Sequence, residues 1–106
     1  MKSFIRQISL LLFALALFGC ASVSPHENFK DGLYASIGYK LKDMQPGWTR
    51  ESDLIGIVSL PNGNAEYQYK SSAPRPCKYM FEVDPSTGKI VGARFEGSEM
   101  NCVIYP

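Results

Sequence analysis

The apolar side chains divide the sequence into a leading apolar run, a helical segment and a series of alternating strands. The leading run covers residues 8–18, where only Ser9 is polar, and it follows a short start that carries Lys2 and Arg6. About eleven apolar residues are far fewer than the roughly twenty that an α-helix needs to cross a bilayer. A basic start followed by a short apolar core is typical of a secretory signal peptide. We therefore expect an export signal at the start of the chain.

A helical period follows this segment. Apolar residues recur at every fourth position: Phe29, Leu33, Ile37 and Leu41. This spacing predicts one amphipathic helix near residues 27–37, and Gly38 is suited to end it in a left-handed conformation. We interpret the apolar stripe as a core-facing surface. A partner-binding face is the alternative.

The second half of the chain has the pattern of β-structure. Residues 54–60 form an apolar run rich in β-branched side chains, and three later segments alternate apolar with polar residues. Turn-forming residues separate the strands at Asn62-Gly63 and at residues 84–88. Residues 102–105 are predicted to add a short edge strand. The inner-face positions of the alternating segments are Ala65, Tyr67 and Tyr69; Cys77, Tyr79, Phe81 and Val83; and Val91, Ala93 and Phe95.

Together these elements predict an α+β fold. One helix would cover one face of a three- to four-stranded antiparallel meander, which gives two layers. The domain is expected to span residues 29–106, after a short, polar tether at residues 20–28. The inner-face tyrosines and phenylalanines are interpreted as ordinary core, with a ligand groove as the alternative.

Trp48 is the only tryptophan, and it lies in a stretch without a sustained period. It follows the turn signal Gln45-Pro46-Gly47. Two interpretations stay open for this residue. It either covers the core as a lid or stands exposed as an interaction residue.

Residues Leu17-Phe18-Gly19-Cys20 resemble the lipobox of bacterial lipoproteins. Leu17 and Gly19 occupy the aliphatic and small positions of that pattern, whereas Phe18 departs from it because a small residue is commoner there. The resemblance implies cleavage before Cys20, so that residues 1–19 are the signal peptide. It also implies a diacylglyceryl thioether on the Cys20 sulfur and acylation of the new amino group. Two or more chains hold a protein stably on a bilayer.

The residues after Cys20 bear on localisation. Ala21 and Ser22 follow it, with no Asp at the next position. In the enterobacterial sorting pattern that the similarity implies, this favours the outer membrane, with the domain facing the periplasm. The alternatives are an ordinary signal peptide cleaved after Ala21, which would discard Cys20, and an uncleaved anchor.

The other two cysteines are predicted to form a structural disulfide. With Cys20 lipidated, Cys77 and Cys102 remain as an even pair in an oxidising compartment. Closing a loop of about 26 residues stabilises a protein by roughly 3–4 kcal/mol in the chain-entropy model. A metal or redox pair is the alternative. It is disfavoured because no C-x-x-C spacing occurs and the only histidine, His26, lies in the predicted tether. We expect no metal and no cofactor.

Further stretches resemble a family of small uncharacterised proteobacterial lipoproteins, over roughly residues 26–106. The resemblance is carried by residues 60–69 (LPNGNAEYQY), Cys77, 81–84 (FEVD), 88–91 (GKIV), 95–97 (FEG) and Cys102. A helix before a β-meander is also loosely similar to the small accessory lipoprotein of the outer-membrane β-barrel assembly machine, although that family normally has two helices. Neither resemblance implies a catalytic residue.

Charge and catalytic side chains limit the classes of function. The formal charge is +1 for the 106-residue chain, and removal of residues 1–19, with Lys2 and Arg6, leaves 87 residues with a charge of −1. A near-neutral domain argues against a nucleic-acid binder, which would show a basic patch. A lone histidine assembles no Ser/His/Asp or Cys/His system. Three carboxylates that might act as acid and base are interpreted as surface charges: Asp84, Glu96 and Glu99.

The sequence therefore predicts a membrane-anchored envelope lipoprotein that is not an enzyme. The favoured hypothesis is an interaction module that docks onto another envelope protein through a sheet edge, with an apolar or aromatic surface around Trp48. The alternative is a periplasmic small-ligand-binding or enzyme-inhibitor module. That alternative predicts a concave pocket between helix and sheet, lined by the tyrosines. An enzyme is the least favoured hypothesis.

Overall fold

In the part of the chain that the structure describes, a four-stranded antiparallel sheet is covered at one end by one α-helix. The computed structural model describes residues 23–72 and 75–105. Each strand pairs with its neighbours in sequence, so that the sheet order is β1-β2-β3-β4. This confirms the predicted α+β fold of one helix followed by an antiparallel meander. The elements are α1 (Pro25–Ala35), the one-turn 3₁₀ helices Leu41–Asp43 and Glu51–Asp53, and then β1 (Leu54–Ser59), β2 (Ala65–Lys70), β3 (Lys78–Val83) and β4 (Ile90–Glu96).

The predicted export signal and lipidation site fall outside this description. Residues 1–19 and Cys20 belong to the part of the chain that the structure does not describe. Within residues 23–72 and 75–105, no helix has both the length and the apolar character needed to cross a membrane.

Helix α1 begins earlier than its predicted start near residue 27. The Ser24 hydroxyl accepts a hydrogen bond of 3.1 Å from the backbone N–H of Glu27 and caps the helix. Pro25 occupies the first turn, where its missing N–H costs nothing and its fixed φ favours the helix. Residues 25–28, assigned to the tether from their polar composition, therefore belong to α1. Gly38 follows the helix end with a φ of +100°, the left-handed conformation expected of it.

The core lies between α1 and the inner face of the sheet. Phe29 and Leu33 of the helix are buried in the core cluster, where the Phe29 ring centroid lies 5.5 Å from that of Phe95 in β4 and 6.3 Å from that of Tyr79 in β3. The cross-strand register aligns these side chains in rows, one of which is Ile57, Tyr67, Phe81 and Ala93. Five buried members of the core confirm predicted inner-face positions: Tyr69, Cys77, Tyr79, Phe81 and Val83. The core also contains Ile90 and Cys102, which were not predicted to face it.

Two residues predicted to face the core are exposed. Val91 is 47% exposed, whereas its neighbour Ile90 is only 1% exposed. A register shift between Glu82 and Val83 sets Ile90 opposite Val83, so the side-chain alternation of β4 is displaced by one residue. Ile37 is exposed because α1 ends at Ala35 and the helical period stops before it.

The C-terminal segment does not form the predicted edge strand. Residues 102–105 have no strand structure. They run beside the start of α1, where the N–H of Ile104 donates a hydrogen bond of 2.9 Å to the carbonyl of Pro25. The disulfide fixes Cys102 beside Cys77, so the backbone of the C-terminal segment hydrogen-bonds to the helix and not to the sheet edge.

The predicted disulfide is present. Cys77 and Cys102 are bonded, with their Cα atoms 5.1 Å apart, and both are buried in the core. The bond joins the residue before β3 to the C-terminal segment. It closes off the end of the core where α1 begins.

Candidate functional site

Strand β1 combines an edge position with an apolar, uncharged surface. Its sequence is LIGIVS, and it lies at the end of the sheet order. Ile55 and Ile57 are each 54% exposed and Val58 is 43% exposed. On the inner side of β1, Leu54 packs against the core whereas Ile57 stays exposed, and α1 packs on β4, at the opposite end of the sheet. Proteins usually protect such an edge with lysine or proline, and neither residue occurs in β1.

The backbone of β1 is free to accept a further strand. Leu60, which follows β1, directs both of its backbone groups toward the turn that leads to β2. Its N–H donates to the carbonyl of Asn64 at 2.8 Å, and its carbonyl accepts from the N–H of Gly63 at 3.0 Å. Inward and outward groups alternate along an antiparallel strand, so Ile57 and Ser59 direct theirs away from β2. A register shift between Leu54 and Gly56 leaves Ile55 without a partner in β2. The regular part of the free edge is thus residues 56–59.

The other edge of the sheet is different. The N–H of Gly38 donates to the carbonyl of Ile90 at 2.8 Å, and the N–H of Ile90 donates to Tyr39 at 2.8 Å. The segment after α1 therefore pairs with the start of β4. The rest of β4 carries the charged side chains of Arg94 and Glu96. Of the two edges, β1 is the one suited to an apolar partner.

The outer face of the sheet carries a network of ion pairs. The Arg94 guanidinium donates two hydrogen bonds to the buried carboxylate of Glu66, at 2.8 and 3.1 Å, and a third to Glu96 at 3.0 Å. Gln68 donates to the same Glu66 carboxylate at 3.0 Å. Met80, opposite both Gln68 and Arg94 in the register, is fully buried. The sequence pattern placed Met80 on a polar outer face and gave no sign of this burial, because the polar residues around it come from three strands.

The pair with Arg94 makes the contribution of Glu66 to stability pH-dependent. The hydrogen bonds from the Arg94 guanidinium hold the pKa of the Glu66 carboxyl below its ordinary value of 4.5. A carboxyl whose pKa is lower in the folded state stabilises the fold above its unfolded-state pKa. That stabilisation is lost as the pH falls through the folded-state pKa. The window for this loss begins near pH 4.5 and extends below it.

We expect Glu66→Gln to lower the free energy of unfolding at pH 7 by about 1 kcal/mol, since the Arg94 side chain is half exposed and solvent screens the pair. At pH 3 the difference from wild type should shrink. Urea unfolding at the two pH values measures it. Glu96→Gln is the matched control, because Glu96 also pairs with Arg94 but is exposed, and its effect should be smaller. Equal losses for Glu66→Gln at both pH values would contradict the assignment.

Trp48 is half-buried against the core. Its ring centroid lies 5.6 Å from that of Phe29 and 5.5 Å from that of Tyr79. Its backbone carbonyl accepts a hydrogen bond of 2.9 Å from the Tyr79 hydroxyl. A Cβ atom at Gly32 would lie 2.8 Å from the Trp48 ring, so the glycine in the middle of α1 makes room for it. Of the two interpretations, the structure places Trp48 as a lid over the core.

A cavity of about 380 Å³ opens beside Trp48. Burial, reinforced by the nearby Asp53 carboxylate, raises the pKa of Tyr79 to about 12, so its hydroxyl stays protonated as a donor. The cavity is lined mostly by loop residues, with Phe29 from α1 and Tyr79 from β3, and Tyr79 is its one tyrosine where the sequence led us to expect several. The lining combines aromatic side chains with charged and hydroxyl groups: Phe29, Trp48, Tyr79, Arg50, Asp53 and Ser71.

His26 is part of the packed domain and not of a flexible tether. Its Nδ1 atom lies 2.8 Å from the carbonyl oxygen of Cys102, and its ring meets the Phe95 ring edge-on at 5.6 Å. A carbonyl only accepts hydrogen bonds, so Nδ1 carries the proton. The interpretation of His26 as a tether residue was wrong because α1 begins at Pro25.

The three carboxylates considered for acid–base chemistry do not converge. Asp84 accepts hydrogen bonds from the N–H and hydroxyl of Ser86 in the β3–β4 turn. Glu96 lies at the far end of β4, where it pairs with Arg94 and with Lys78. Glu99 follows in the next turn. Within residues 23–72 and 75–105, no group of three or more His, Cys, Asp or Glu side chains is arranged to hold a metal ion.

Together, the fold and these surfaces define, within the described residues, a small, disulfide-bonded α+β domain with an apolar sheet edge at β1 and an open cavity beside Trp48. No protein-family model, no curated protein and no solved structure matches the chain. The candidate function therefore rests on the residues and geometry described above.

Proposed function

We propose that this protein is a membrane-anchored lipoprotein of the bacterial envelope whose folded domain is a non-catalytic protein-interaction module. Acylated Cys20 is the proposed anchor, in the outer membrane, with the domain on the periplasmic side. The observation that carries the interaction role is β1, an edge strand without a charged side chain that exposes Ile55, Ile57 and Val58.

The partner that suits β1 is an extended segment of another envelope protein. Such a segment would add a strand and bond to the outward backbone groups of Ile57 and Ser59. Main-chain hydrogen bonds supply affinity in this mode, and alternate side chains supply specificity. Because β1 offers no charge, side chains packed beside it should be apolar or small. A charged partner strand would lose hydration without gaining an ion pair.

A photo-crosslinking amino acid in place of Ser59, in the full chain within bacterial membranes, tests this proposal. We expect an adduct with one envelope protein, and we expect Val58→Lys to reduce its yield about tenfold, because a lysine on an edge strand opposes the addition of a further strand. Val91→Lys is the matched control. Val91 is a strand valine of similar exposure, 47% against 43%, but it lies on β4. An adduct unchanged by Val58→Lys, or reduced equally by Val91→Lys, would refute docking at β1.

A second candidate function is supported by the cavity beside Trp48. Its volume of about 380 Å³ is within the range of small-ligand sites. Its aromatic wall and its Arg50 and Asp53 side chains suit a small ring compound with a polar group. A periplasmic small-ligand-binding or inhibitor module would use this cavity and leave β1 unoccupied. The crosslinking experiment separates the candidates, since the second predicts no adduct that depends on Val58.

A further inference from the structure

Exposed apolar side chains gather where the chain enters α1. We name this surface the N-terminal pole. Two hydrogen bonds hold its parts together: the Ile104 N–H donates to the carbonyl of Pro25, and the Cys102 carbonyl accepts from the His26 side chain. The exposed fraction of its side chains ranges from 41% at Ile104 to 78% at Met100. The four residues of the pole are Val23, Met100, Ile104 and Tyr105.

The position of the proposed anchor brings this surface to the bilayer. Val23 lies three residues after Cys20. Even fully extended, three residues span at most about 11 Å. That upper limit is only a few ångströms more than the headgroup region of one leaflet, which is about 5–8 Å thick, half of the 10–15 Å that both leaflets add to the hydrocarbon core. A domain acylated at Cys20 therefore keeps Val23 at the membrane surface, and the rest of the pole with it.

The charges near the pole are compatible with a phospholipid surface. The Arg75 guanidinium lies 5.3 Å from the centre of the Tyr105 ring and hydrogen-bonds to its hydroxyl, which leaves a cation beside an amphipathic ring. Glu27 is paired with Lys30 at 3.1 Å. The pKa of Lys30 is raised chiefly by its pairing with Glu27, and the Glu99 carboxylate, next to Met100, adds a smaller electrostatic effect in the same direction. Tyrosine with an adjacent cation is the combination that proteins favour at the membrane interface.

We propose that the N-terminal pole is a membrane-contact surface: Val23, Met100, Ile104 and Tyr105 insert into the interface of the phospholipid bilayer and hold the domain in one orientation. The inference rests on the proposed lipid anchor at Cys20, and it adds a second contact, made by the folded domain itself. Strand β1 lies three strands away from β4, the strand on which α1 packs. The docking edge thus remains accessible while the pole is in contact with lipid.

Quenching by brominated lipids tests this contact. Full-length lipoprotein purified from membranes is reconstituted in phosphatidylethanolamine–phosphatidylglycerol vesicles that contain phosphatidylcholine with brominated acyl chains. Met100→Trp places a reporter in the pole, and Ile57→Trp places one at a similarly apolar, exposed position in β1. Both variants keep the native Trp48, so quenching of the wild-type protein measures how much of the signal change comes from Trp48. We expect Met100→Trp to lose fluorescence beyond the wild-type amount as the brominated fraction rises, and Ile57→Trp to lose none.

The intact mass of the same samples separates the two proposals. An acylated Met100→Trp protein that is quenched no more than Ile57→Trp would overturn the membrane contact and leave the anchor standing. A mass without acyl chains would overturn the proposed anchor, and with it this inference. Because the vesicles contain no other protein, selective quenching of Met100→Trp reports contact with lipid and not with a protein partner.

Discussion

Replacing Cys77 and Cys102 together by alanine is expected to lower the free energy of unfolding by about 3.5 kcal/mol, the chain-entropy value for a loop of this length. The two residues are separated by 25 positions, and both are buried. A domain of this size has a single small core, whose net stability is often only about 3–5 kcal/mol. The loss is therefore comparable with the whole stability of the domain. Urea unfolding, followed by circular dichroism, measures it.

Reduction of the wild-type protein is the matched comparison for the double variant. Reduction removes the same crosslink but leaves both sulfur atoms in the core, so its effect should be similar to that of the alanine pair or slightly smaller. A single Cys102→Ala variant should be no more stable than the double variant, since either substitution opens the loop. If all three samples unfold within about 1 kcal/mol of the oxidised wild type, the disulfide does not stabilise the fold as the chain-entropy model requires.

The disulfide also links stability to the proposed membrane contact. Cys102 holds the C-terminal segment beside the start of α1, through the hydrogen bond that its carbonyl accepts from His26. Gly97 lies against the disulfide, since a Cβ atom at Gly97 would be 2.8 Å from the Cys102 sulfur. Opening the bond removes the covalent restraint on Ile104 and Tyr105. The N-terminal pole is thus expected to lose its fixed shape before the sheet unfolds.

The sheet was the part of the fold that could be predicted best from the sequence. A sheet with one covered face imposes a period of two, and the alternation of Tyr67 and Tyr69 with the polar residues of β2 shows it directly. The same period holds for Ala93 and Phe95 of β4 but fails at the start of that strand. There, a register shift at Val83 moved Ile90 into the core and Val91 out of it. A bulge of this kind depends on how the partner strand pairs, so it cannot be recognised from the apolar–polar alternation of β4 alone.

The helix start and the C-terminal segment could not be placed from local pattern. Pro25 is as common in tethers as in first turns, and only the cap on Ser24 decides between them. Residues 102–105 have strand-like composition, but the disulfide and the hydrogen bond to Pro25 determine their path. Tertiary contacts overrode propensity at both places.

The candidate site was visible in the sequence only in part. The apolar run of β1 predicted a strand, but a run of this kind fits a central strand as well as an edge. Its edge position follows from the sheet order and from the position of α1 on β4. Burial of Met80 beneath the network of Glu66 and Arg94 was missed, since that network joins residues that are distant in sequence. Trp48 can pack on α1 because Gly32 has no side chain at the contact, and no period in the sequence indicates that the two residues meet.

Replacement of Phe81 by alanine is expected to destabilise the domain by about 3–5 kcal/mol, the usual cost of emptying a buried phenylalanine site. Phe81 has no exposed surface and lies in the central strand β3. Its ring centroid is 6.0 Å from that of Tyr69 and 6.3 Å from that of Trp48. The backbone of the sheet prevents these neighbours from closing a cavity at this position. Urea unfolding at pH 7 measures the loss, provided that enough folded variant is obtained.

Ile57→Ala is the control, because Ile57 lies in the same cross-strand row, two strands away from Phe81. The side chain of Ile57 is more than half exposed, so the control should unfold within about 0.5 kcal/mol of wild type. Phe81→Leu keeps most of the buried volume and should lose less than Phe81→Ala, which keeps the test informative if the alanine variant does not fold. A loss for Ile57→Ala close to that of Phe81→Leu would mean that β1 is covered in the isolated protein. Strand β1 would then not be free to accept a partner strand.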